Sequence, residues 1–268
     1  MKPKTIKLLF LLKTRYNVVL LTLTKTRLIF SIILLWSGLM LFAQSRTSTV
    51  SFFSDDSLLI TADELIAADS FSYLVLIHEQ GSSRGEFSEI VDRFQKMNYN
   101  CLAVDVRNGG NSNFIPNETA KRARNKGIRN NSEAVEDDIR AAINYAYEKS
   151  GQDVVLLGAG ENGSLILKAA KEQDVVSAAI ALSPGEFFIP LFSIENTISG
   201  IQKPLLITVS RTEYPYIEQI MSNVEEEYKT IFVPENSEGE RGSAALLPDN
   251  PSYTEYWLAI LLFFKDLQ

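Results

Sequence analysis

The sequence contains one cysteine and one histidine among 268 residues. With Cys101 alone, no disulfide can form within the chain and no cysteine-based zinc site exists. Its setting, Asn100-Cys101-Leu102-Ala103-Val104, is an apolar strand pattern, which points to a buried, inert thiol. With His78 alone, chemistry that needs an imidazole base has a single candidate. Acidic residues are missing from positions 1–43, which hold Lys2, Lys4, Lys7, Lys13, Arg15, Lys25 and Arg27. The remaining chain carries 19 basic and 33 acidic residues, a net charge of −14. An acidic body of that kind argues against nucleic acid as a partner. Long apolar runs are missing as well, with one exception.

That exception is Leu28 to Ala43, LIFSIILLWSGLMLFA, which follows Lys25 and Arg27 and ends in Ala43-Gln44. A basic leader, an apolar stretch and a small residue at its end predict a secretory signal peptide over residues 1–43. The run is somewhat shorter than the roughly 20 residues of a comfortable membrane span. The expectation is therefore an exported protein, periplasmic or secreted. The alternative is an uncleaved anchor that holds the chain to the inner membrane through residues 28–43. Hydrophobic residues at 46% and charged residues at 22% predict one globular domain over 44–268.

From Thr47 on, short apolar runs alternate with helical patterns. Val50-Ser51-Phe52-Phe53 and Leu58-Leu59-Ile60-Thr61 predict a hairpin around Asp55-Asp56-Ser57. Strands follow at Tyr73–Ile77, Cys101–Val106, Val154–Leu157, Val176–Leu182, Pro204–Val209 and Thr230–Val233. Tyr73–Ile77 (YLVLI) is apolar throughout, as in a strand buried on both faces of a parallel sheet. Helices are predicted over 85–97, from a Ser132 cap to about Lys149, over 161–171 and 213–227, and over 253–267 with Trp257, Ile260, Leu261 and Phe264 inward. Residues 107–131 read as one long loop, in which Lys121, Arg122, Arg124, Lys126 and Arg129 either face water or meet an anionic partner. Asp137-Asp138 and Glu225-Glu226-Glu227 read as solvated helix faces, so no metal set emerges. Strands alternating with helices predict an α/β fold: a mostly parallel central sheet with helices on both faces, preceded by the N-terminal hairpin.

The pivotal stretch is DVVLLGAGENGSLILKAAKE, residues 153–172. Strand, glycine turn and helix follow one another there. Taken literally, Gly158-Ala159-Gly160-Glu161-Asn162-Gly163 is the G-x-G-x-x-G of dinucleotide binding. That motif needs an acid about 20 residues on, at the end of the next strand. The next strand ends Ala181-Leu182-Ser183-Pro184, without an acid, so no cofactor is expected.

The same turn resembles the nucleophile elbow of the α/β-hydrolase superfamily. Leu76-Ile77-His78-Glu79-Gln80-Gly81 resembles its post-strand segment that supplies an oxyanion-hole amide. Asp105-Val106-Arg107-Asn108-Gly109-Gly110-Asn111-Ser112 resembles the D-x-R-G-x-G-x-S stretch after the following strand. Asn117-Glu118-Thr119 and Ser183-Pro184-Gly185-Glu186 carry a closer resemblance to secreted dienelactone-hydrolase-like proteins of Bacteroidetes. The motifs stand in the right order over residues 48–268, and the resemblance implies an α/β-hydrolase fold.

It also implies where a catalytic triad would lie, and those positions are degenerate. The serine position is Gly160, the acid position falls at Glu213, and the histidine position falls at Arg241. Arginine stays protonated and cannot serve as a base near neutral pH. Ser82, Ser83, Ser164 and Ser183 have no base partner in sequence. The expectation is a non-catalytic homologue that binds an unidentified ligand or protein partner, with His78, Glu79, Glu161 and Ser183 as the candidate ligand-binding residues. Contact with a membrane would come only through the N-terminal segment, if that segment stays attached. The alternative is an active serine hydrolase of esterase or dienelactone-hydrolase type with rearranged residues. Two geometric expectations follow: Gly160 at a strained apex, and Glu213 facing Arg241. Export itself is checked by N-terminal sequencing of the accumulated protein, which should begin at Gln44; a chain beginning at Met1 would contradict cleavage.

Overall fold

A computed structural model describes residues 46–267, Ser70 excepted. The signal peptide or anchor expected over residues 1–43 lies outside the described residues. Among the described residues no helix is long and apolar enough to cross a membrane.

Eight strands form one sheet: β1 (Arg46–Phe53), β2 (Leu59–Ile66), β3 (Tyr73–Ile77), β4 (Asn100–Asp105), β7 (Val154–Ala159), β8 (Val176–Leu182), β9 (Leu205–Thr208) and β10 (Lys229–Phe232). Their spatial order is β1-β2-β4-β3-β7-β8-β9-β10. The pairs β1/β2 and β2/β4 are antiparallel, and all others are parallel. The expected N-terminal hairpin is β1/β2, and it forms one edge of the sheet. Two short strands, β5 (Asn111–Ser112) and β6 (Ile115–Pro116), pair with each other outside the sheet.

Side chains alternate across each strand, and both faces are covered. On one face Val75, Ile77, Val104 and Leu156 pack against Ile139 and Ile143 of the helix Ser132–Ser150 and Leu165 and Ile166 of the helix Gly160–Glu172. On the other, Leu74, Leu76, Cys101 and Leu157 pack against Phe87, Phe94 and the helix Tyr253–Asp266. Each fully buried Leu or Ile contributes about 1.5–3 kcal/mol, so the apolar central strands dominate stability. Cys101 is fully buried, and that burial raises its thiol pKa, which leaves it unreactive.

Several elements depart from expectation for visible reasons. The helix expected over 85–97 breaks into a 3-10 turn (Arg84–Phe87) and the helix Val91–Gln95. Asn113 donates to the Gly85 carbonyl there, and Ser88 N–H bonds the same carbonyl three residues back. The expected loop 107–131 contains a helix, Glu118–Lys126, capped by the Asn117 side chain and stopped by Gly127 in a left-handed conformation. Its basic residues therefore sit on or just beyond a helix. Asn131, not Ser132, caps the next helix. The helix expected over 213–227 ends at Ile220, because the Met221 and Val224 carbonyls turn to the Lys229 ammonium. Leu261 is half exposed and not inward. It lies one residue, about 100° of rotation, from Ile260, the centre of a buried arc of Tyr256, Trp257, Phe263 and Phe264.

Asp138 is the clearest reversal. It is not a solvated face but fully buried, and it accepts from Arg107 Nε, Nη2 and backbone N–H. Arg107, also fully buried, turns its remaining edge to Asp56 in the β1–β2 turn. Burial pushes the Asp138 carboxyl up to about 6 against the pull of Arg107, while Arg107 holds Asp56 well below the usual carboxylate range. One guanidinium thus joins the hairpin turn, the end of β4 and the helix Ser132–Ser150. Arg107→Met should cost about 3–5 kcal/mol in urea unfolding at pH 7, because it leaves Asp138 buried and unpaired. Adding Asp138→Asn should recover part of that loss; equal stabilities of the single and double variants would contradict this role.

Candidate functional site

The segments that follow β3, β7, β8 and β9 bring Glu79, Gly160, Ser183 and Glu213 together around Gly242. Strand β7 stays extended through Ala159 (φ −116°, ψ 147°), and the helix starts at the next residue. That residue, Gly160, has φ +56°. Only glycine adopts this region without a Cβ penalty, which is about 1–2 kcal/mol for other residues. The apex is therefore strained for any side chain, and glycine relieves it.

Glu79, from the end of β3, occupies the space beside that apex. A Cβ built on Gly160 would lie 2.4 Å from Glu79 Oε1, and one on Gly242 would lie 3.2 Å from Oε2. The Glu79 carboxylate thus lies between two glycines, in the space a side chain at residue 160 would take. Its residue is exposed to solvent, and its backbone N–H donates to Glu86 Oε2 at 3.0 Å.

Glu213 and Arg241 meet. Arg241 Nε donates to Glu213 Oε1 at 2.7 Å. The other carboxylate oxygen accepts from Ser210 N–H, Ser210 Oγ and Ser183 Oγ at 2.8–2.9 Å. Burial pushes the Glu213 carboxyl up, but the Ser210 N–H, Arg241 and the two hydroxyls outweigh it, and the net shift is downward. The Arg241 side chain is 65% exposed and that of Glu213 15%. The pair is therefore worth what a surface bridge gives, about 0–1 kcal/mol, and not the larger value of a buried pair. Ser183 is buried, with φ +53°. Its hydroxyl donates to Glu213 and accepts from Gly242 N–H at 2.9 Å.

His78 is fully buried. Its Nε2 accepts from Val106 N–H at 3.1 Å and from Asn117 Nδ2 at 3.0 Å, so Nδ1 carries the proton and donates to the Glu79 carbonyl at 2.7 Å. Burial lowers its pKa, which keeps the ring neutral. This imidazole ties the ends of β3 and β4 together. Glu161 opens the helix beside Gly160, partly buried, in the first turn, where a carboxylate suits the helix dipole. Ser164 bonds the backbone of Gly185 in both directions, and Ser83 donates to the Ile115 carbonyl, so both hydroxyls are committed.

Asn108 and Asn162 were not singled out from sequence. Their side-chain amides exchange two hydrogen bonds at 2.9 and 3.1 Å, and Asn162 also donates to the His78 carbonyl at 2.7 Å. They lock the β4 loop and the β3 end to the Gly160 turn. The one signal for Asn162 was its place two residues past the apex, on a helix face that had to be buried.

Glu213 yields a pH test with a definite sign. Its folded pKa lies below the ordinary 4.5, so its stabilisation is present above that value and lost as pH falls through the folded value. Glu213→Gln should lower stability by about 1–3 kcal/mol at pH 7. The gap from the natural protein should narrow as pH falls below 4.5, and thermal melts at matched pH check it. A gap that widens in acid would contradict the assignment.

No protein-family model matches the sequence, and no curated protein matches it. Solved structures do. A dienelactone hydrolase of Anabaena variabilis superposes with a TM-score of 0.62 at 16% identity, over 82% of this chain and 96% of its own. An esterase of Pyrococcus furiosus gives 0.61 at 14% identity, over 83% and 93%. The alpha/beta hydrolase GrgF of a Penicillium species gives 0.63 at 15% identity, over 82% and 98%. With the strand order and the turn at Gly160, these likenesses establish that the chain has the α/β-hydrolase fold.

Proposed function

We propose that this is an exported α/β-hydrolase-fold protein that has lost acyl-transfer chemistry and uses the cleft over Gly160 for binding. The observation that carries the reading is the Glu79 carboxylate in the space where a nucleophile would project. Acyl transfer needs a nucleophile, a base and an orienting acid. Gly160 supplies no attacking atom, Arg241 stands at the position of the base, and the only imidazole is buried and neutral. Export rests on the basic leader and the apolar run that ends at Ala43.

The cleft keeps features of a binding site. Phe187, Ile189 and Leu191 on the loop after β8, and Tyr216 on the helix after β9, expose apolar surface. Glu186 holds that rim in place by accepting from Ile194 N–H, Glu195 N–H and Ser193 Oγ. The dienelactone-hydrolase-like resemblance suggests a small organic ligand whose apolar part lies on this rim.

The second reading is an active serine hydrolase, and Ser183 is its best candidate because its hydroxyl contacts a carboxylate. Glu213 is a poor base for it, since its pKa is depressed, and the hydroxyl is already bonded on both sides. The two readings separate by treating the purified protein with a fluorophosphonate probe and assaying p-nitrophenyl acetate. The binding reading expects no labelled serine and no turnover above the uncatalysed rate. Labelling at Ser183, or at any serine, would refute it. Gly160→Ser should lower the melting temperature through about 1–2 kcal/mol of backbone strain. The exposed Glu79 side chain can swing aside, so strain dominates over steric clash.

A further inference from the structure

Phe114 is fully exposed and has a left-handed backbone, φ +61°. Asn113 before it has φ +47°. The two residues form the turn between β5 and β6, whose register pairs Ser112 with Ile115. A two-residue turn of this hand favours Asn followed by Gly, and a bulky side chain in the second position is strained. The tip is held firmly in this state. Asn113 Nδ2 donates to the Gly85 carbonyl at 2.9 Å and to Ser88 Oγ at 3.1 Å. Ser83 Oγ donates to the Ile115 carbonyl at 2.6 Å, and Arg84 Nη1 donates to the Pro116 carbonyl at 3.0 Å. The hairpin lies so close to Gly85 that a Cβ there would fall 2.3 Å from the Ser112 carbonyl oxygen. Strain is thus maintained to present an aromatic ring that buries nothing within its own chain, the pattern of a preorganised binding anchor.

A receptor for such a ring lies beside it. Leu65, Phe87, Val91, Ala103 and Ile115 line a cavity of about 200 Å³ whose polar side is formed by Arg84, Asp63 and Asp92. Ile115 adjoins Phe114 in sequence, and Ser88, which also borders the cavity, holds Asn113. Anchor and cavity therefore share one small patch of surface. That adjacency is what a two-fold contact requires, because each copy must offer both halves at once. The Arg84 guanidinium is held by Asp63 and Asp105 at 3.0 and 2.7 Å, so this part of the wall is fixed before a ring enters. We propose that a second copy of this chain docks here, each Phe114 entering the cavity of the other. One ring and one cavity per copy make a small interface, so the dimer forms weakly and reversibly.

Sedimentation equilibrium of the purified protein and two variants tests this. The natural chain should show a concentration-dependent monomer–dimer equilibrium. Phe114→Gly should raise the dimer Kd at least tenfold, and it should raise the melting temperature of the dilute monomer because glycine relieves the turn. Thr47→Trp, at an exposed β1 position bordering the cavity, should raise Kd at least tenfold while the monomer's melting temperature stays within a degree or so. A natural chain that is monomeric up to about 100 μM, where weak specific complexes already form, would overturn the proposal. So would a dimer insensitive to Phe114→Gly, or one broken by Phe114→Gly but not by Thr47→Trp. A monomer that binds phosphatidylcholine vesicles through Phe114 would assign the tip to a lipid surface and equally overturn it.

Discussion

Strand β7 passes into a helix within a single residue, and that residue must take a left-handed conformation, φ +56° at Gly160. A parallel sheet with helices on its faces depends on such turns, and this one sits at the sheet's centre between β3 and β8. In an enzyme the residue would carry a side chain, and the strain would be maintained for its attack. Here the apex has no side chain, so the turn is relaxed and a neighbouring side chain can take the space above it. Glu79 fills that space from β3, and Gly242 leaves room on the other side. Nearby, Arg241 neutralises Glu213.

Glu213 is a carboxylate committed to its neighbours. Its four hydrogen bonds tie the ends of β8 and β9 to the loop that carries Arg241 and Gly242. Those contacts stabilise the anion and depress its pKa, which suits an ion-pair partner and not a base. His78 is likewise committed: buried and neutral, it bonds the Glu79 carbonyl, the Val106 N–H and the Asn117 side chain that caps the helix Glu118–Lys126. Arg107 performs the same service at the hairpin side of the sheet, with two carboxylates on one guanidinium.

Strands were legible in the sequence because burial on both faces demands uninterrupted apolar runs, as in Tyr73–Ile77 and Val176–Leu182. The left-handed turn at Gly160 and the Glu213–Arg241 contact were legible because the turn and the strand ends fall at fixed places in the resemblance. Helix limits were less legible where distant groups took the backbone carbonyls: Asn113 at Gly85, and Lys229 at Met221 and Val224. The helix Glu118–Lys126 had its Asn117 cap and Gly127 stop in plain view, masked by the polar composition of its neighbours. Asp138 and Asn162 were hidden for a different reason. A polar residue on a helix gives no local sign that its partner waits 31 or 54 residues away. Glu79 over Gly160 is likewise a contact between strands, invisible until the sheet is assembled.

The central claim is that Gly160, Glu213 and Arg241 are the three positions of a triad that has lost two members. The most direct measurement is fluorophosphonate labelling of the natural chain, Gly160→Ser, Arg241→His and the double variant Gly160→Ser/Arg241→His, each checked for folding by circular dichroism. The account predicts that only the double variant is labelled, and at residue 160, because it alone joins a nucleophile to a base oriented by Glu213. Labelling of the natural chain or of Gly160→Ser alone would show a base already in place, and a folded but unlabelled double variant would show that these residues do not form a triad geometry.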